Sequence, residues 1–480
     1  MRGLHWFRND LRLQDNSALI ALADRVEEWL PVYVLDPELL SRHPAERPRT
    51  RFLLDCLSHL ARDLEARGVP LQVLQGKPEE LLPALARETG SELVSWNLAS
   101  TPLGQRRDAR VEAALARIGA APLVLRDQTI FGPAEILTRT GGCYSVYTPY
   151  RKTWWDAWHR APRLPARRIR LPEKPIRGFA RRRTPPLASL QSVTPGSDVA
   201  VLPRGGEVAA RRRLDRFLAG SVARYPTDRD RPDRDGTSRL SPYLRFGAIS
   251  VRRCFGDALQ RARDEPAARA GVQKWLDELV WREFYHAVLE NSPRVLTQSF
   301  RPEYDALEWA GDDEAFEAWK AGRTGYPFVD AGMRQLRATG WMHNRVRMVV
   351  ASFLTKDLLI DWRRGERYFF DALVDGDPAS NNGGWQWAAS TGTDAQPYFR
   401  IFNPVAQGER FDPDGRYVKR WIPELRALPG NQIHAPWRLG DPPSGYPRPI
   451  VDHGEARLRA LAAYRKARQR SSSARTRSSR

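Results

Sequence analysis

Three cysteines in 480 residues, Cys56, Cys143 and Cys254, are too few and too scattered for a disulfide framework. They form no CxxC pair and no Cys/His cluster, which argues against a structural zinc site and fits a reducing, cytoplasmic setting. No apolar run approaches the ~20 residues that a membrane helix needs. The opening Met1-Arg2-Gly3-Leu4-His5-Trp6-Phe7-Arg8-Asn9-Asp10 lacks the apolar stretch of a signal peptide. No fixed-period repeat occurs, which disfavours solenoids and propellers. A GxGxxG after the first strand is missing too, so a dinucleotide site of the usual kind is not indicated there.

What is there points elsewhere. Hydrophobic residues make up 41% of the chain, enough for large cores and too much for global disorder. The formal charge is +20, which favours a polyanionic partner, either nucleic acid or an anionic surface. Much of that charge is local. Residues 163–183 and 456–480 each hold nine cations, against one acid and none, so the remainder is nearly balanced. Sixteen tryptophans, one residue in thirty, suit the stacking of flat rings.

Short apolar runs at Leu4–Phe7, Leu30–Leu35, Leu71–Leu74, Leu93–Trp96 and Leu123–Leu125 alternate with helical patterns at Thr50–Arg67, Pro78–Glu88 and Gln105–Ile118. Strand–helix alternation predicts an α/β fold with a doubly wound parallel sheet over residues 1–130. Residues 131–205 are rich in Pro and Arg and read as an inter-domain linker. From 206 to 454 the spacing is helical, clearest at Arg211–Tyr225, Gly271–Asn291, Asp312–Ala321, Tyr326–Ala338, Asn344–Leu359 and Glu366–Leu373. Residues 455–480, Ser/Arg-rich and free of acids after the first residue, read as a basic, disordered tail.

Four constellations could carry chemistry. Gly236-Thr237-Ser238-Arg239-Leu240-Ser241 packs hydroxyls and a guanidinium ahead of a helix, either to grip a phosphate or as a plain N-cap. Trp275, Glu278, Trp281, Arg282 and Tyr285 lie at helical offsets that group the last four near one face. That stripe is poor core material, unless Glu278 and Arg282 simply pair at the surface. In Trp341–Met348, Asn344, Arg347 and Met348 share a face, while His343 reads first as structural. The fourth runs from Asp375-Gly376-Asp377 through Asn381-Asn382-Gly383-Gly384-Trp385-Gln386-Trp387 to Asp394. Gly admits close backbone approach, Asp and Asn satisfy the polar edge of a heteroaromatic ring, and Trp covers its face. A calcium loop is excluded because its ninth and twelfth positions are wrong; a structural glycine turn is the remaining alternative.

At these residues the chain resembles the photolyase/cryptochrome family, closest to the class I cyclobutane pyrimidine dimer photolyases. The likeness spans about residues 1–450 and is strongest over Asp375–Asp394 with Tyr398–Pro404 and over Trp341–Trp362. It implies an antenna α/β domain and an all-helical domain holding one non-covalent FAD, active as FADH⁻. It further implies light-dependent repair of cyclobutane pyrimidine dimers in DNA, by electron transfer from excited FADH⁻ to a flipped-out dimer. The resemblance assigns Tyr225, Thr237, Ser238, Arg239 and Ser241 to the flavin's phosphates and nearby groups. Trp275, Arg282, Arg347, Asp375 and Asp377 would line its pocket, with Asn381 beside N5. Glu278 and Asn344 would hydrogen-bond the dimer, Trp281 and Trp387 wall it, and Met348 touch it. Arg229, Arg345 and Arg400 would face DNA phosphates. Trp385, Trp362 and Trp309 match the family's electron relay.

His343-Asn344 stands where (6-4) repair enzymes carry adjacent histidines, and Asn381 favours repair over the plant cryptochrome type. Leu103-Gly104 replaces the Asn-Glu pair of folate-type members. This leaves the antenna open between a deazaflavin, methenyltetrahydrofolate and none. The expected partner is damaged DNA, bound by a monomer. Two other readings stand beside repair: a cryptochrome-like blue-light photoreceptor, and a basic nucleic-acid-binding protein without flavin.

Overall fold

Five parallel strands follow the predicted alternation: β1 (Arg2–Phe7), β2 (Glu28–Leu35), β3 (Gln72–Gln75), β4 (Leu93–Asn97) and β5 (Ala121–Leu125). Their order is β3-β2-β1-β4-β5, so the winding reverses between β1 and β4. The computed structural model describes residues 1–42, 47–166, 171–172, 174–179, 202–395, 397–441 and 443–478. Of the Pro/Arg-rich stretch, Arg167, Arg168, Arg170, Arg181, Arg182, Arg183, Pro185 and Pro186 lie outside the described residues.

Helices α1 (Ser17–Ala23), α2 (Pro48–Glu65), α3 (Pro78–Thr89) and α4 (Pro102–Ala116) cover the sheet. Alternate strand residues point to opposite faces, and both faces are buried. Leu4, Trp6, Val32, Val94 and Trp96 pack with Leu82, Leu85, Val111 and Leu115 of α3 and α4. Phe7, Trp29 and Val73 pack on the other side with Leu57 and Leu60 of α2. Side chains fill the crevice at the strand reversal. Asp10 accepts hydrogen bonds from Asn97 Nδ2 (2.5 Å) and Asn16 Nδ2 (3.3 Å), and Arg8 pairs with Asp108.

The linker expectation needs correcting. Residues 131–205 include a 14-residue helix, α5 (Tyr147–Arg160), and a two-residue strand, β6 (Lys174–Pro175), which pairs with β2. The Pro/Arg-rich average composition masks the aromatic stripe Tyr147, Tyr150, Trp154, Trp155 and Trp158, all buried.

Beyond residue 202 the fold is helical. The elements that matter below are α6 (Arg269–Asn291), α7 (Asn344–Ser352), α8 (Trp362–Ala372), α9 (Pro378–Ala388) and α10 (His453–Ser478). The two halves are clamped by ion pairs: Asp127 takes both Arg12 (2.6 Å) and Arg252 (2.8 Å), and Glu290 takes Arg126 (2.9 Å).

The disordered tail is also corrected. Residues 453–478 continue as α10, and Ala456, Ala460, Tyr464 and Ala467 are buried. Offsets of three and four put these four on one stripe, so the basic composition describes only the outer face. Tyr464 donates to the Ala389 carbonyl (2.6 Å) and packs against Tyr304, Tyr398 and Trp309. Among the described residues no helix is long and apolar enough to cross a membrane.

Candidate functional site

Helix α9 begins where Asp377 caps it, accepting from Ser380 N at 2.9 Å, with Pro378 in the first turn. The Asn-Asn-Gly-Gly run, read as a ligand-hugging glycine segment or a turn, is therefore helical. Its two glycines do different things. A Cβ on Gly383 would lie 2.1 Å from the Tyr285 ring, so this glycine lets α9 and α6 approach. A Cβ on Gly384 would meet nothing within 4 Å, which leaves helix backbone open to a ligand. Gly383→Val is expected to lower stability by about 2–4 kcal/mol through overpacking and lost helix contact, read by denaturant unfolding.

On α9, Trp385 and Trp387 are two positions apart, about 200° around the helix, and face different ways. Trp385 is buried against Phe369 (ring centroids 5.0 Å) and Trp319 (6.1 Å); Trp387 is only partly buried. Trp385, Trp362 and Trp309 belong to or pack on one apolar cluster. Trp362 is buried and Trp309 is half-exposed.

Asn381 donates through Nδ2 to both the Glu366 carbonyl (3.0 Å) and its carboxylate (2.9 Å). Two acceptors fix the amide's orientation, and the Oδ1 oxygen is left facing away from them. Burial raises the Glu366 pKa to about 6, with the Asn381 hydrogen bond pulling the other way. Arg347 pairs with Asp375 (2.9 Å) and donates to the Met342 carbonyl (2.8 Å). Asp377 lies 3.9 Å from Arg245 and 3.6 Å from His286. Burial lowers the His286 pKa, and its Nδ1 bonds Ser100 of the α/β half (3.0 Å). Arg282 does not pair with Glu278 but donates to the Gln128 carbonyl (2.6 Å).

The plain N-cap reading of Thr237 or Ser238 fails. The short helix Ser241–Arg245 starts after Leu240 with no side-chain cap. Arg213 binds the Ser238 (2.8 Å) and Thr237 (3.1 Å) carbonyls, and Arg239, at φ +50°, lies over the Trp341 ring at 4.8 Å. Tyr225 is buried beside Phe217, and Trp275 packs on the same ring. His343 has a structural role: its Nδ1 accepts from Arg345 N (3.2 Å) to cap α7, so the proton sits on Nε2. Burial drives its pKa down to about 3, and Nε2 has no protein partner.

Trp281 stacks on Tyr147, with centroids 3.6 Å apart and planes at 13°, and Tyr147 is held by donating to the Asp277 carbonyl (2.7 Å). Glu278, one turn away, accepts a hydrogen bond from Arg229. Arg345, on α7, pairs with Asp230 at 2.9 Å and lies over Phe411. Asn344 is exposed on the same helix, 3.9 Å from the Met348 sulfur. Arg400 is exposed next to Phe399. Sequence reasoning missed Tyr147, Asp230 and Glu366. Each holds another candidate site residue in place, a contact that leaves no signal in the local sequence.

Gly104 sits in the first turn of α4, where a Cβ would lie 2.4 Å from Ala99 Cβ. A glutamate of the folate-type pair has no room there without backbone movement.

Two family models match the chain: "DNA photolyase" over residues 3–168 and "FAD binding domain of DNA photolyase" over 275–466. A deoxyribodipyrimidine photo-lyase of Halobacterium salinarum is 43% identical over 97% of this chain and 99% of its own length. The crystal structure of a bacterial class III photolyase from Agrobacterium tumefaciens superposes with a TM-score of 0.90 at 38% identity, covering 98% of both chains. A Synechocystis cryptochrome gives 0.85 at 28% identity, over 96% of this chain and 99% of that one. Fold and site thus define the class in which a parallel-sheet domain abuts a helical FAD-binding domain. The chain belongs to the DNA photolyase family.

Proposed function

We propose that this enzyme repairs cyclobutane pyrimidine dimers in DNA under light, as a cytoplasmic monomer using one non-covalent FAD. The carrying observation is the convergence of Glu278, the stacked Trp281 and the arginines Arg229 and Arg345 from three separate segments. A carboxyl, a flat apolar wall and phosphate-seeking cations are what a base lifted from a duplex requires.

The donor set fits FAD. The Thr237, Ser238 and Ser241 hydroxyls and Arg239 suit its phosphates, Gly384 leaves open backbone, and the Asn381 Oδ1 oxygen, its Nδ2 already engaged by Glu366, would accept from a ring N–H. Arg347, oriented by Asp375, and Asp377, with Arg282, Arg245 and His286 around it, would hold the remaining polar edge, with Tyr225 and Trp275 behind them. When bound and reduced, this group supplies the electron that opens the cyclobutane ring and recovers it afterwards. The chain does the rest. Arg229, Arg345 and Arg400 hold the strand, Trp281 and Trp387 exclude water from the lifted dimer, with Met348 beside it, and Asn344 and a protonated Glu278 donate to its carbonyls as negative charge develops there. Two C–C bonds break and two C=C bonds form, with no net change in redox state. Trp385, Trp362 and Trp309 serve to re-reduce the flavin rather than to repair.

A cryptochrome shares the fold, as the Synechocystis structure shows, so fold alone does not decide. Asn381 and the docking of α10 into the core favour repair over a signalling tail. The purified protein should show flavin absorption and remove thymine dimers under blue light but not in darkness. Equal loss in darkness, or none with reduced FAD present, rejects the proposal.

A further inference from the structure

Four charged side chains form a ribbon at the mouth of the site. Glu278 accepts from Arg229, Arg229 lies 3.9 Å from Asp230, and Asp230 accepts from Arg345 at 2.9 Å. Acids and bases alternate, so the ribbon is neutral. Its members are shielded but not sealed: side-chain exposure is 27% for Glu278, 19% for Arg229, 34% for Asp230 and 17% for Arg345. Two of the three cations assigned to DNA phosphates, Arg229 and Arg345, are thus already occupied by carboxylates, and one of those carboxylates is the group required to donate a hydrogen to the dimer.

An ionised carboxylate only accepts; it donates only when protonated. The Arg229 guanidinium beside it is the counter-ion that a carboxylate pairs with. Arg229 reflects the same contact: burial works against its charge, but the Glu278 carboxylate raises its pKa. The other groups facing Glu278 are neutral phenols, Tyr225 from the Arg229 segment, Tyr147 from α5 and Tyr285 from α6, with Asp230 behind Arg229. None of them could replace Arg229 as counter-ion.

Building on the repair reading, we infer that dimer-bearing DNA exchanges the partner of Arg229: a phosphate takes the guanidinium, and Glu278, left without a counter-ion in a pocket the dimer dehydrates, takes up one proton from solvent. The charges balance. Arg229 stays cationic and pairs with a phosphodiester, while the carboxylate becomes a neutral carboxyl whose O–H points to the dimer. Undamaged DNA meets Arg229 without filling the pocket, so Glu278 remains hydrated and ionised. Asp230 keeps Arg345 in place and is a positioning residue.

Isothermal titration calorimetry in the dark, at one pH near neutrality in phosphate and in Tris buffer, separates proton transfer from intrinsic heat. The wild-type protein should take up about one proton per dimer-bearing duplex and its Kd should weaken about tenfold per pH unit above neutrality. Glu278→Gln keeps a hydrogen-bond donor but cannot titrate. It should still prefer the dimer, with uptake near zero and a flat pH profile. Undamaged duplex should give no uptake with either protein. Equal uptake by wild type and Glu278→Gln, or no uptake by wild type that binds the dimer tightly, overturns the inference. No preference for the dimer duplex at all would instead overturn the repair reading beneath it.

Discussion

Trp385→Phe is expected to slow photoreduction of oxidised flavin by roughly tenfold or more, about 1.4 kcal/mol on the barrier, while repair by pre-reduced enzyme stays close to wild type. The contrast follows from the proposed roles. Trp385 is buried against Phe369 in the apolar cluster that also holds Trp362 and takes Trp309, and it is assigned to re-reduction of the flavin, whereas Glu278 is assigned to the dimer. Phenylalanine keeps most of the packing against Phe369 and Trp319 but is far harder to oxidise than an indole. Time-resolved absorption of the flavin after a flash, alongside dimer loss after chemical reduction, reads both halves. Impaired repair by pre-reduced Trp385→Phe would remove Trp385 from a purely reductive role.

Lys356→Met should change how stability depends on pH. Lys356 is buried, donates to Ser390 Oγ at 2.8 Å and lies 3.8 Å from the centre of the Tyr464 ring. Burial drives its pKa from 10.5 down to about 7. Between those values the unfolded chain binds one more proton than the folded one, so stability rises with pH across that window. Below pH 7 the lysine is charged in both states, and the fold carries the whole burden, on the order of 5 kcal/mol. Methionine fills similar space without charge. The variant should therefore be more stable at neutral pH, and from pH 7 to 9.5 it should lack a slope of about 1.4 kcal/mol per pH unit. Denaturant titrations at three or four pH values measure this. Parallel profiles for the two proteins would mean that Lys356 holds its charge in the core at no penalty.

Legibility from sequence followed the reach of local pattern. Each of the five predicted strands appears with its ends within two residues, because a buried parallel strand leaves a short apolar run with sharp edges. Helices were legible where one face met a core, as in Asp313–Ala321 with Phe316 and Trp319 buried, and were missed where composition misled. Tyr147–Arg160 hid among prolines and arginines, and Pro378–Ala388 contains two glycines that suggested a loop. The tryptophan count needs the same care: Trp6, Trp29, Trp96, Trp154 and Trp319 are fully buried core residues with no place in the proposed site. Residues such as Asp230 and Glu366 were invisible because their roles exist only as distances to residues far away in the chain.

The docked C-terminal helix bears on how the protein is made. Chains leave the ribosome N-terminus first. Tyr304, Trp309 and Tyr398 are therefore synthesised well before Tyr464 and Ala467 arrive to cover them. His453 and Arg459 likewise tie down Asp357, and Tyr464 the Ala389 carbonyl, only once the last helix has emerged. A product cut short near residue 452 would still hold nearly all the proposed flavin and lesion contacts, but with an aromatic cluster bare to water beside the proposed relay. For this chain, translation to the end is itself a quality check on the packing of that cluster.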